Sequence, residues 1–149
     1  MPKYLIGMQD RSEEYLETIL YLTQGRGMAK TSEIAEELGV SPSSVTEMIQ
    51  KLSEGGYVEY VPYYGVTLTQ QGNMEASRIK RRHQLLETFL VEFLKMNKDD
   101  AHREACKLEH VISDDIERRF CSMMGHPEKC PDGNPIERAS CCFEEDTFP

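Results

Sequence analysis

Thr31-Ser-Glu-Ile-Ala-Glu-Glu-Leu38-Gly-Val-Ser41-Pro-Ser-Ser-Val-Thr-Glu-Met-Ile-Gln-Lys-Leu52 is the densest local signal in the chain. Its opening residues predict a short helix with Ile34, Ala35 and Leu38 inward, because these recur at helical spacing. Gly39-Val40 makes a turn. Ser41 then stands as an N-cap with Pro42 at the first helical position, and Val45, Met48, Ile49 and Leu52 form the buried face of a second helix. Two helices of this length joined by a glycine-containing turn predict a helix-turn-helix.

Working outward, Gly55-Gly56 stops the second helix. Tyr57–Val61 and Val66–Thr69 then read as strands around Pro62-Tyr-Tyr-Gly65, a hairpin that makes the whole a winged helix. Such a module can also serve purely for protein docking. On the N-terminal side a helix is expected from Asp10, with Asp10 and Glu13 as a capping pair and Tyr15, Leu16, Ile19, Leu20 and Leu22 on one side. Glu13, Glu14 and Glu17 would then lie in the first turns, where the helix dipole favours anions. Gly25-Arg-Gly27 is the expected stop.

A long helix is expected over residues 70–94. Arg78, Lys80, Arg81 and Arg82 form its basic cluster, and Leu86, Phe89, Leu90, Phe93 and Leu94 its apolar face. His83 and Glu87 are i, i+4, a two-ligand metal spacing that ordinary surface hydrogen bonds also use. The short link Met96-Asn-Lys-Asp-Asp100 implies antiparallel packing against the next helix, which would turn the His83/Glu87 edge toward it. That next helix contains His102-Arg-Glu-Ala-Cys106-Lys-Leu-Glu109-His110 and is expected to run to about Cys121. At about 100° per residue, His102, Cys106, Glu109 and His110 share one side. They are imidazole, thiol, carboxylate and imidazole, the donors of transition-metal sites. Ala101, Ala105, Leu108 and Ile112 run beside them as an apolar seam. The plainer reading is a polar helix edge rich in His and Glu.

The 149 residues are 39% hydrophobic and 29% charged, which fits a globular protein of one or two small domains. No apolar run or signal pattern suggests a membrane partner, and five unevenly spaced cysteines do not suggest a disulfide framework, so a cytoplasmic location is expected. The net charge of −9 argues against a general nucleic-acid binder, and any DNA contact has to answer it. Glu-x-x-His, a Walker loop and a nucleotide fingerprint do not occur, so neither an enzyme nor a small-molecule substrate is expected. Past Gly125 the chain turns irregular and ends in the acidic Glu144-Glu-Asp146. His126, Cys130, Cys141 and Cys142 offer a zinc or iron–sulfur set, though without C-x2-C spacing.

The winged helix, the His83-x3-Glu87 pair and the 102–110 motif followed by Val111-Ile-Ser-Asp-Asp-Ile-Glu-Arg-Arg119 resemble the diphtheria toxin repressor family of metal-dependent transcriptional regulators. The resemblance covers roughly residues 10–138, including Gly133-Asn-Pro-Ile136. It implies a mainly α fold: a winged helix-turn-helix over 1–72, a helical metal-binding and dimerisation domain over 73–138, and a cysteine-rich acidic tail over 139–149. It also implies a homodimer holding two divalent ions per subunit. The primary site would be Glu14, Cys106, Glu109 and His110, and the ancillary site His83, Glu87 and His102. Ending near Pro149, the chain looks like a short form without the C-terminal SH3-like domain of longer members, so water, Glu17 or Glu13 would complete the ancillary site.

Two departures make the site a hybrid. Glu14 stands where diphtheria-type proteins have methionine, while Cys106 is the iron-type choice where manganese regulators place glutamate. Fe²⁺ is expected, with Mn²⁺ as the alternative, because thiolate and imidazole favour the softer ion. The expected function is a metal-activated repressor of metal-uptake genes on palindromic double-stranded DNA. Its contacts are expected at Thr31, Ser41, Pro42, Ser43, Ser44, Thr46, Glu47, Gln50, Lys51, Tyr63 and Tyr64, with the Ser41 helix in the major groove. Glu47 is the awkward member, able to accept from a cytosine amino group or to repel the backbone. Rival readings are a manganese regulator of the same fold and a cysteine-based redox-sensing regulator.

Overall fold

The computed structural model describes residues 3–24 and 27–144, with side chains from residue 11. The chain divides into two compact units, Met1–Ile79 and Lys80–Pro149. The first holds α1 (Lys3–Thr23), α2 (Thr31–Leu38), α3 (Pro42–Glu54), β1 (Val58–Val61), β2 (Gly65–Leu68) and the opening turns of α4 (Gln70–Glu92). The division therefore falls inside α4. The opening turns of α4 stay with the first unit because Ala76 is buried in its core.

That core gathers Tyr15, Leu16 and Ile19 of α1 with Ile34, Val45, Ile49, Leu52, Val58 and Val66. Gly39 ends α2 in the left-handed region at φ 65°, a conformation other residues adopt at a cost. Ser41 caps α3 by accepting from the Ser44 backbone N–H at 3.2 Å, and Pro42 opens the helix. The wing is an antiparallel hairpin with Val58 opposite Leu68 and Val61 opposite Gly65. Ala29 adds a bridge to Val66 through two 2.8 Å backbone hydrogen bonds.

One expectation fails in α1. The helix begins at Lys3, so Asp10 and Glu13 lie inside it, where the backbone N–H groups are already taken by the helix. The Asp10 side chain lies outside the described residues, as do Gly25 and Arg26 of the expected stop. Glu13, Glu14 and Glu17 are accordingly turns away from the helix start, and the buried Glu13 pairs with Arg78 at 3.5 Å.

The second unit holds the rest of α4, α5 (Lys98–Leu108), α6 (Asp114–Met123) and a 3-10 turn, Ser140–Cys142. The single helix expected to reach Cys121 is thus two. Ser113 breaks it: in extended backbone, it accepts from the Ile116 N–H at 3.2 Å, and Asp114, Asp115 and Glu117 follow in the first turn of α6. The apolar seam holds. Ala101 and Ala105 are fully buried against Leu86 and Leu90, with Leu108, Ile112, Phe89 and Phe120 around them. Phe93 and Leu94 are exposed rather than part of that core.

The basic cluster is largely internal. Arg81 bonds the Glu137 carbonyl at 2.7 Å, and Arg82 bonds the Ile112 carbonyl at 2.9 Å and Asp114 at 2.6 Å. Both pair with Glu117 at 3.3 Å. A buried guanidinium needs such partners to offset its lost hydration. Among the described residues no helix is long and apolar enough to cross a membrane.

Gly72 and Gly39 separate two kinds of glycine requirement. A Cβ on Gly72 would fall on the Tyr57 carbonyl oxygen, whereas one on Gly39 meets nothing within 4 Å and suffers only its positive φ. Urea midpoints should show Gly72→Ala losing about 2–3 kcal/mol and Gly39→Ala about 1 kcal/mol. Equal losses would contradict the steric distinction.

Candidate metal centre

Two helices present the donors. His83 and Glu87 lie one turn apart on α4, and His102 and Cys106 one turn apart on α5. Asn97 starts α5 by accepting from the Asp100 N–H at 2.9 Å, and Glu109 is its C-terminal cap residue, with His110 next in the turn. The alanines at 101 and 105 carry no bulk between α5 and the α4 leucines, which seats the two donor rows against each other.

Glu109 is only 1% exposed. Its Oε2 lies 2.6 Å from His83 Nδ1 and its Oε1 3.2 Å from His110 Nε2. On its other edge, His83 Nε2 is 2.5 Å from Glu87 Oε1 and 3.2 Å from His102 Nδ1. Glu87 Oε1 in turn lies 2.6 Å from His102 Nδ1. The exposed Cys106 thiol completes the group, 3.7 Å from His102 Nε2 and 3.9 Å from His83 Nδ1.

The charges are strongly coupled. Burial works to lower the His83 pKa, but Cys106, Glu109 and Glu87 around the ring outweigh it and push it up to about 12. Burial works the other way on Glu87, and there the hydrogen bonds from His83 and His102 win, holding it below its usual value. The ring is therefore an imidazolium between carboxylates, a site already shaped for a cation. The 3.2 Å between the histidine nitrogens is near the separation of about 3 Å expected for neighbouring donors around an ion with bonds of about 2.1 Å. Nitrogen, oxygen and sulfur donors together fit a divalent transition metal.

The structure thus brings His83, Glu87, His102, Cys106, Glu109 and His110 into one network, with His83 and Glu109 joining the donors assigned to two sites. Glu14, exposed, and Glu17, half-buried, lie on α1 in the first unit. On the winged helix, Ser41, Pro42, Ser43, Ser44, Thr46, Glu47, Gln50 and Lys51 are all exposed, and Thr31 is half-buried at the start of α2. Tyr63 and Tyr64 are exposed at the wing tip, with Tyr63 at φ 70°. The set read as His126, Cys130, Cys141 and Cys142 changes one member. Cys121 joins the other three, while the Cys130 sulfur lies by Gln84 at 4.0 Å. Placing the helix break at Ser113 would have exposed the signal, since Glu117 and Cys121 are the i, i+4 buried pair of α6.

Residues 8–66 match the N-terminal DNA binding domain of the iron dependent repressors, and residues 69–138 match their metal binding and dimerisation domain. The chain belongs to the iron-dependent repressor family. It is a metal-dependent transcriptional repressor of that family, whose members are regulators and not enzymes. Relatives of this repressor include an uncharacterized HTH-type transcriptional regulator of Methanocaldococcus jannaschii, 46% identical over 76% of this chain and 91% of its own length. The iron-dependent repressor IdeR of Mycobacterium tuberculosis is 33% identical over 85% of this chain, which spans 55% of that protein. A solved manganese-dependent transcriptional repressor in complex with manganese is 40% identical, with TM-score 0.79 over 86% of this repressor and 59% of its own chain.

The proton on His83 sets a pH dependence for the metal-free repressor. A raised folded pKa means stability that is complete below the ordinary value of 6.5 and is lost as pH rises toward the folded value. Glu87, depressed from 4.5, gives stability that is present above that pH and is lost as pH falls below it. Denaturant midpoints after chelation should therefore fall as pH rises above 6.5, and His83→Gln should flatten that fall. An unchanged slope in the variant would contradict the imidazolium assignment.

Proposed function

We propose that this repressor binds a palindromic operator as a homodimer when loaded with Fe²⁺, controls metal-uptake genes and acts in the cytoplasm. The observation that carries this reading is the convergence of Glu87, His102 and Cys106 on a buried His83–Glu109 pair. Cys106 favours iron over manganese through its thiolate. Glu14, Cys106, Glu109 and His110 are the proposed primary ligands; His83, Glu87, His102 and Glu17 are proposed for the second ion. When bound, a divalent ion supplies a positive centre that holds carboxylate, thiolate and imidazole together.

The chain's own residues do the rest. Glu109 orients two imidazoles at once, and Glu87 orients the ring of His102. Glu14 extends the donor set to α1, so that loading favours one arrangement of the DNA-binding unit by differential affinity. Two divalent ions per subunit offset up to about four of the nine net negative charges, which lets an acidic chain approach phosphate only when loaded. Ser41, Ser43 and Ser44 crowd their hydroxyls at the start of α3, within 3.1 Å of Ser41 Oγ, and suit phosphate and base-edge contacts. The exposed apolar side chains Phe93, Leu94, Val111 and Ile116 of the second unit suit a dimer interface.

Fluorescence anisotropy on a palindrome from the protein's own promoter region tests this. Anaerobic Fe²⁺ should tighten binding more than Mn²⁺ or Zn²⁺, and Cys106→Ala should weaken the iron response at least about 10-fold. Metal-free repressor binding as tightly as loaded repressor would overturn the reading. So would equal responses to the three ions in wild type and variant. Control by oxidant with no effect of a chelator would instead favour thiol redox sensing through the exposed Cys106.

Tyr63 gives an independent check on the wing. Its positive φ is strained for a tyrosine, so Tyr63→Gly should raise the melting temperature while lowering operator affinity. A variant no weaker on DNA would remove the wing tip from the interface.

A further inference from the structure

We propose that Cys121, His126, Cys141 and Cys142 form a structural Cys3His zinc site, separate from the donors of α4 and α5. The four donor atoms lie within 4.8 Å of one another. Cys121 Sγ is 3.7 Å from Cys142 Sγ and 3.3 Å from His126 Nδ1. A tetrahedral zinc with Zn–S bonds of about 2.3 Å and Zn–N of about 2.0 Å requires S···S edges of about 3.8 Å and S···N edges of about 3.5 Å. The observed separations are those of ligands around one small ion, and 3.7 Å is far from a disulfide bond.

Three separate pieces of chain supply the ligands. Cys121 comes from α6, Cys141 and Cys142 from the 3-10 turn, and His126 from the turn after α6. Gly125 and His126 are both left-handed there, at φ 73° and 54°, which folds the imidazole back onto α6. Cys121 and Cys141 are buried, so the centre is closed, as structural zinc sites are.

The charges agree. Arg81 is buried, and its Nη2 lies 3.2 Å from Cys121 Sγ and 3.7 Å from both Cys141 Sγ and Cys142 Sγ. Its carboxylate partner, Glu117, is shared with Arg82. A buried cation aimed at three sulfurs is well satisfied if they are thiolates and poorly if they are thiols. One Zn²⁺ displaces three thiol protons to solvent, giving a centre of charge −1 that Arg81 balances. The segment has reason to need a staple, because three of the five fully buried members of its small core are cysteines.

This site does not depend on the proposed regulatory ligands, so the test begins from full-length Cys106→Ala, which leaves its three thiols and Cys130, whose sulfur lies apart by Gln84, as the remaining thiols. Supplied with one equivalent of zinc, the chain should bind it, and X-ray absorption at the zinc edge should show three sulfur and one nitrogen neighbour. Cys141→Ser and His126→Gln, each in that background, should lose the ion. Should those variants fail to fold, the absorption spectrum of the Cys106→Ala chain still decides. A zinc-free chain, a spectrum without sulfur neighbours, an iron–sulfur chromophore, or a Cys121–Cys142 disulfide in place of the ion would each overturn the proposal.

Discussion

Glu109 is a carboxylate almost wholly removed from water, and it stands between the imidazoles of His83 and His110. An unpaired charge in that position would cost several kcal/mol, so the elements around it have to deliver partners. Its own place is fixed by where α5 ends, and α5 ends there because Ser113 starts a new helix a few residues on. The facing place of His83 is fixed by α4, held to α5 by Leu86, Leu90, Ala101 and Ala105. The arrangement of the candidate donors is thus a consequence of one seam and one helix break.

α4 makes this possible by an unusual route. Every residue from 81 to 88 is buried, although most of them are polar. Their side chains find partners: Arg81 the Glu137 carbonyl, with its Nη1 left to the Glu117 ion pair, Arg82 the Ile112 carbonyl and Asp114, His83 Glu109, Gln84 the Pro135 carbonyl, and Thr88 the Gln84 carbonyl. Consecutive positions on one helix therefore serve two chemistries. His83 and Glu87 look toward the α5 donors, while Arg81 looks toward the thiols of α6 and the 3-10 turn.

What could be read from the sequence follows from how local each signal is. Residues 31–52 were legible almost to the residue, because Gly39, Ser41 and Pro42 fix their turn and cap without help from distant chain. The placing of His102 and Cys106 on one side of a helix was legible for the same reason, while the end of α5 at Leu108, which puts Glu109 at the cap and His110 in the turn, was not. The basic cluster of Arg78, Lys80, Arg81 and Arg82 gave no hint of its burial, since nothing nearby in sequence announces Glu117, Asp114 or the Ile112 carbonyl as partners. Continuous helical periodicity hid the Ser113 cap, and with it the pairing of Cys121 with residues twenty positions on. The early start of α1 was equally hidden, because residues 3–9 carry no strong apolar period.

The electrostatic logic joins these parts. In the absence of a cation, the His83 proton is the positive charge that lets Glu87 stay buried as an anion. A divalent ion offers the same neutralisation with directed bonds, which makes the centre a place where metal supply can compete with a proton. The most direct test is crystallographic: anomalous difference maps recorded on both sides of the iron edge from anaerobic crystals grown with Fe²⁺. The two-site arrangement predicts one peak within bonding distance of His83, Glu87 and His102 and another beside Cys106, Glu109 and His110. Maps in which both positions stay empty while iron scatters elsewhere would contradict it.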